Sequence, residues 1–365
     1  MIKKIQFVLL LFVVACLERY EFEVRDREPG LVIEATLTDK SYLDTQAYSD
    51  GQYFTIRLSE TSDVNNVRSK TVNHAIVELL TSEGETFSCV QVANGTYSLL
   101  DQEFKARKGV DYRLRIVTPD EHVYESSWER LPDIDAPSIG AVDFAEGTMQ
   151  KYIMEASDWK VRERQVVTTS IEVPVNTSGK SIYYKYSMLP TWIYEAPLTS
   201  QANSNYRCWI TEPYYMENFE LLVDRAGGYK KALFNIETVR NERIYKKFSV
   251  LITQHAMTAD VFSFWKDLKD RNETSALADT PPYNLKTNYT SPTEGKKVYG
   301  YFGVCFEQAT RWYFDREQLS YYVEDTMRAD CLIVYGPDGP APMCFDCLQY
   351  PSGEGRNVKP FWWNP

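Results

Sequence analysis

Leu31-Val-Ile-Glu-Ala-Thr-Leu-Thr38 decides the fold class. Leu31, Ile33, Ala35 and Leu37 alternate with Val32, Glu34, Thr36 and Thr38, and a period of two puts one set against a core and the other toward water. The same writing continues downstream, where Phe54, Ile56 and Leu58 alternate with Thr55, Arg57 and Ser59. Further runs lie at Ala75 to Leu80, Thr86 to Val92, Thr96 to Leu99, Tyr112 to Val117 and His122 to Ser127. Glu83-Gly84, Asn94-Gly95, Lys108-Gly109 and Pro119-Asp120 punctuate them as turns. About seven short strands in roughly 100 residues predict an immunoglobulin-like β-sandwich over 31–131.

Outward from that block, Pro132-Asp-Ile-Asp-Ala-Pro137 reads as a linker over 132–137, because two prolines fix the backbone and remove two amide donors. Asp133 and Asp135 supply too few oxygens for a calcium site and read as solvated. A larger β-rich second domain is expected over 138–330, with strands at Gln165 to Val175, Ser181 to Leu189, Arg243 to Thr253, Lys297 to Phe306 and Arg311 to Phe314. One short amphipathic helix is expected near 258–271. Thr258 stands as its N-cap, Asp260 lies in its first turn, and Val261, Phe264, Trp265 and Leu268 fall at helical spacing. Residues 331–365 read as a cysteine-containing tail.

The N-terminus reads as a lipoprotein export signal over 1–15. Lys3 and Lys4 precede the apolar run Ile5 to Val14, and Val13-Val-Ala-Cys16 ends it. The run is too short to span a bilayer as a mature helix. Cys16 is the expected lipidation site, at about 0.8 kcal/mol per buried methylene of each acyl chain, and 16–30 would be a lipid-anchored linker. Loss of Lys3 and Lys4 takes the formal charge from −11 to −13 (38 basic against 51 acidic residues). A field of that sign repels polyanions, so nucleic acid is not an expected partner.

Six cysteines remain besides Cys16: Cys89, Cys208, Cys305, Cys331, Cys344 and Cys347. An even count in an exported chain points to disulfides, and six allow 15 full pairings. Cys331, Cys344 and Cys347 cluster, but a structural zinc site needs four ligands. An aromatic stretch holds Trp192, Tyr194, Tyr206, Trp209, Tyr214 and Tyr215. Buried aromatics are ordinary, which favours a core, while Trp192, Tyr194, Trp209 and Tyr214 are the candidates for an exposed surface stacking on a peptide or glycan. His74, His122 and His255 are scattered, and no His-Glu-x-x-His, Gly-x-Ser-x-Gly, Walker or dinucleotide motif occurs. Among 51 acids nothing singles out a glycosidase pair. The expectation is a protein that is not an enzyme, with no cofactor and no metal.

The order of elements resembles the Bacteroidetes-type outer-membrane lipoprotein family of domain of unknown function 4249 (DUF4249). The resemblance rests on the lipobox at Cys16, Leu31 to Thr38, the Asn94-Gly-Thr-Tyr97 turn and the Pro132-Asp-Ile-Asp135 linker. Its most specific part runs from Tyr245 through Phe264-Trp-Lys-Asp-Leu-Lys269, Pro281-Pro282 and Val298-Tyr-Gly-Tyr-Phe-Gly-Val304 to the Cys344-x-x-Cys347 tail and its Pro360-Phe-Trp ending. The chain departs from the family pattern at Leu285 to Tyr289, where relatives carry Gly-Asn-Ile, and at Cys305, where a small or polar residue is expected. The resemblance implies a lipid-anchored, surface-exposed outer-membrane protein that serves as a non-enzymatic accessory or binding subunit of a TonB-dependent transporter in nutrient uptake. A structural or adhesive surface lipoprotein and a glycan-binding or glycan-processing lipoprotein are the alternatives.

Overall fold

The computed structural model describes residues 30–61, 70–155, 157–216, 219–274, 285–292, 296–333 and 339–365. The export signal at 1–15, Cys16 and the Pro281-Pro282 turn lie outside the described residues. Leu31–Thr38 forms β1 as its period requires, with Leu31, Ile33, Ala35 and Leu37 buried and Glu34 exposed. The first block continues with helix α1 (Tyr42–Thr45), β2 (Thr55–Glu60), β3 (Ile76–Thr81), β4 (Thr86–Ala93), β5 (Thr96–Ser98), β6 (Tyr112–Val117) and β7 (Val123–Ser126). Each of its strands falls where the alternation placed one. Ser41 caps α1 through a reciprocal bond with Asp44, whose carboxyl is held down to about 2, first by Lys105.

Beyond the linker come β8 (Val142–Glu155), β9 (Asp158–Val173), β10 (Ile182–Glu195), β11 (Arg207–Thr211), β12 (Glu220–Asp224), β13 (Tyr229–Glu237) and β14 (Phe248–Met257). Helix α2 (Ala259–Thr274), β15 (Tyr289–Thr290), β16 (Val298–Phe314), helix α3 (Met327–Leu332) and β17 (Glu354–Arg356) complete the chain. The protein is mainly β. One hydrogen-bonded path of strands runs β15-β7-β6-β3-β4-β5-β2-β1-β16-β14-β10-β11-β17, with β12 also beside β10, and β13-β9-β8 form a separate sheet.

β16 ties the sequence blocks together. Its first half, Val298 to Cys305, pairs in parallel with β1, and its second half, Phe306 to Phe314, pairs antiparallel with β14. β15 likewise joins β7, so two strands from beyond the linker extend the sheets of the 31–131 block. The parallel contact is close enough to demand glycine at one point: Gly300 sits at φ +104°, and a Cβ there would meet the Ile33 carbonyl oxygen at 1.9 Å. The sequence divided β16 in two because Glu307-Gln-Ala-Thr310 interrupts its apolar run. The structure keeps one strand because Glu307 finds partners inside.

The two faces of this central region are covered differently. One carries the main core, which includes Ile33, Tyr184, Tyr186, Trp192, Phe248, Phe302 and Phe314. The other carries a smaller cluster of Met257, Val261, Phe262, Phe264, Tyr301 and Cys305 under α2. Thr258 holds the N-cap position of α2, its carbonyl accepting the Phe262 amide at 3.0 Å, but its hydroxyl is buried without a partner and does not cap. Asp133 and Asp135 of the linker pair with Lys180 and Lys108 at 2.9 and 3.2 Å in exposed ion pairs.

Candidate functional site

Three of the four aromatic candidates, Trp192, Tyr194 and Trp209, belong to the core, the reading that the sequence favours, so they do not form the candidate interaction surface. The even-numbered side chains of β10 point inward, and Tyr184, Tyr186, Met188, Trp192 and Tyr194 are all buried along one period-two row. Trp192 meets Tyr215 and Tyr350 edge-on at 6.0 and 5.7 Å, and the Arg243 guanidinium lies 4.9 Å from its ring and 4.1 Å from that of Tyr215. The Tyr194 hydroxyl donates to the Met343 carbonyl at 3.1 Å. Trp209 is buried on the neighbouring β11, opposite Ile193. Only Tyr214, on a short 3₁₀ turn, faces solvent. The signal was present in the sequence, because the same even parity carries from Tyr184 past Pro190 to Tyr194.

Four of the six candidate cysteines pair: Cys208 with Cys347, and Cys331 with Cys344. Cys89 and Cys305 do not, correcting the expectation that all six are bridged. They stand on different strands under different cover, and burial pushes each thiol up to about 12, which leaves them protonated and inert. The disulfides also account for the clustering of Cys331, Cys344 and Cys347. They hold the tail against β11 and leave Leu332, Ile333, Phe345 and Leu348 beside the bridged cysteines, between 41% and 59% exposed. Large apolar side chains left exposed beside cross-links are candidates for an interaction site.

Register assembles a polar row that the sequence scatters. Lys185 of β10 stands opposite His255 of β14, and His255 opposite Glu307 of β16. Glu307 is 4% exposed. Tyr48 donates to its Oε1 at 2.7 Å, His255 Nε2 lies 3.5 Å from its Oε2, and its own amide donates to Asp39 Oδ1 at 2.7 Å. Burial pushes this carboxyl up, but His255, Tyr48 and Thr38 outweigh it and hold the group below its ordinary range. Lys185 places its ammonium 3.5 Å from the Trp265 ring centre, with Phe219 at 5.2 Å, and desolvation lowers it to about 8. The row can hold protons and fix the Tyr48 segment to the sheet. α2 and that segment cover it.

The three-stranded sheet offers a second exposed surface. β13 accompanies β9 only from Val166 to Val173, so β8 and β9 continue past Gly147 as a two-stranded ribbon. Eight residues per strand at about 3.3 Å each give an arm of about 26 Å. Tyr152 opposes Val161 and Met154 opposes Trp159, on one face, with exposures of 70%, 44%, 62% and 63% in that order. At its root a shallow cleft of about 210 Å³ lies among Glu163, Arg164, Gln165, Glu237 and Val239, below the roughly 300 Å³ at which small-molecule pockets begin. Among the described residues no helix is long and apolar enough to cross a membrane.

The family described as Domain of unknown function (DUF4249) matches residues 18–311, and the chain belongs to that family. No curated protein matches it. The family match ends within β16, whereas the residues after it add β17 and contribute three of the four bridged cysteines.

Proposed function

We propose that this chain is an exported, lipid-anchored binding subunit that works without catalysis, as an accessory of a TonB-dependent β-barrel transporter at the outer-membrane surface. The observation that carries the reading is the disulfide-held tail with its exposed Leu332, Ile333, Phe345 and Leu348. Disulfides suit an oxidising compartment, as the export signal ending at Cys16 requires. Exposed apolar side chains on a cross-linked segment lower the ordering cost of docking a protein partner. The glycan-stacking alternative has lost its main support, since Trp192, Tyr194 and Trp209 are core.

Two measurements test this reading. In cells of the source organism, Cys16→Ala moves the protein from the outer-membrane fraction to the soluble periplasmic fraction, whereas an unchanged distribution would remove the anchor from the proposal. Affinity purification of a tagged chain from detergent-solubilised outer membranes recovers a TonB-dependent barrel in stoichiometric amount. Phe345→Glu with Leu348→Glu lowers that recovery at least tenfold at unchanged expression, on the order expected when interface anchors are replaced by charge. Recovery of the chain alone, or beside other surface lipoproteins, would turn the reading toward adhesion.

A further inference from the structure

The free edge of β8 carries an inference independent of the transporter reading. The Glu172 amide donates to the Ala141 carbonyl at 2.8 Å, next to the Val142 and Ile171 pair that opens the β8 and β9 ladder. Bonding alternates along an antiparallel ladder, so odd-numbered residues of β8 turn their amides toward β9 and even-numbered ones turn theirs away. Phe144 agrees with this parity, because its amide is taken by the Asp143 carboxylate at 2.8 Å rather than by β9. Glu146, Thr148, Gln150, Tyr152 and Met154 therefore present amides and carbonyls along an open edge. The ladder runs from Val142 to Glu155 without a bulge, and β8 contains no proline. Natural edges are usually blunted by bulges or prolines, and an edge this long and regular is a template for another strand.

We propose that the strand is β8 of a second copy, paired antiparallel about Thr148 to form a two-fold dimer. In this register Val142 opposes Met154 of the other copy, Phe144 opposes Tyr152, Glu146 opposes Gln150 and Asp143 opposes Ile153. Open amides meet open carbonyls, and no like charges face each other. A shift of the axis to Met149 would set Asp143 against Glu155 and is disfavoured. The pairing also covers the apolar arm. At its root, the even-numbered face of β8 packs into the core, with Phe144 5.2 Å from Phe314 and 6.2 Å from Trp312. The other copy's Tyr152 and Met154 would continue that apolar surface, and the exchange is reciprocal as two-fold symmetry demands.

The test uses the full mature chain in detergent, with mass by sedimentation or light scattering across micromolar concentrations. A dimer is expected. Thr148→Cys, on the two-fold axis, is expected to form an intermolecular disulfide under mild oxidation, and Met154→Cys is not. Gln150→Pro removes an outward amide from each copy and leaves the ladder to β9 intact, so it should raise the dimer dissociation constant at least about tenfold, on the order of two lost hydrogen bonds. Its circular dichroism should stay that of the parent. A monomer at every concentration overturns the proposal, as does cross-linking through Met154→Cys but not Thr148→Cys. If Gln150→Pro fails to fold, the cysteine pair still decides.

Discussion

Replacing Cys208 and Cys347 together by alanine destabilises the protein by about 5 kcal/mol, and replacing Cys331 with Cys344 by about 3 kcal/mol. The difference follows from loop length. The first bridge closes a separation of 139 residues and the second one of 13, and the entropy that a cross-link removes from the unfolded chain grows with the logarithm of that length. The larger loss has a second source in the folded state. The Cys347 bridge brings the tail to β11, and Tyr350, three residues on, packs edge-on against Trp192 and Tyr194 and donates to Glu242 at 2.5 Å. Denaturant midpoints of the two double variants against the parent measure the order. Equal losses, or a loss below about 1 kcal/mol for the long bridge, would show that the tail adds nothing to the stability of the body.

The first block was legible because each strand in it has one wet face, so that Leu31 to Thr38 or Tyr112 to Val117 declare themselves by alternation. β8 was not. Its outer half buries no side chain fully, with only Met149, Ile153 and Glu155 half-buried, so Thr148 to Glu155 shows little alternation in its residue types. The mainly β class, the helix near Thr258 and the family could be read locally. The polar row could not, because Lys185, His255 and Glu307 are neighbours only through the ladders of β10 with β14 and β14 with β16. A histidine in a strand carries no mark of what stands opposite it. The disulfide pairing was not legible for a related reason: six cysteines fit many pairings, and only the path of the tail back to β11 joins Cys208 to Cys347. The aromatic candidates were the reverse case, since the parity that buries Trp192 and Tyr194 was written in the chain and was cut short at Pro190.

Glu307→Ala is expected to cost about 3 kcal/mol at neutral pH, because removing one member of a buried charged network leaves the others unpaired. Tyr48 loses its acceptor, and His255 loses the carboxylate 3.5 Å away. The consequence should reach α1, since Tyr48 also gives its carbonyl to Arg311 at 2.8 Å and follows directly on that helix. Glu307→Gln keeps the shape and an acceptor for Tyr48, and should cost about 1 kcal/mol. The pair also separates charge from packing. The folded state holds the Glu307 carboxyl below its unfolded value of 4.5, so its contribution is complete above that value and is lost as pH falls through the lower folded one. The parent should therefore lose more stability than Glu307→Gln between neutral pH and pH 3. Asp39 must be held common to both chains, because burial raises its carboxyl and gives it the opposite slope. Urea midpoints of parent and Glu307→Gln across that range supply the comparison. Parallel curves would mean that the Glu307 carboxyl titrates alike in the folded and unfolded chain, and that the row of Lys185, His255 and Glu307 adds no charge-dependent stability.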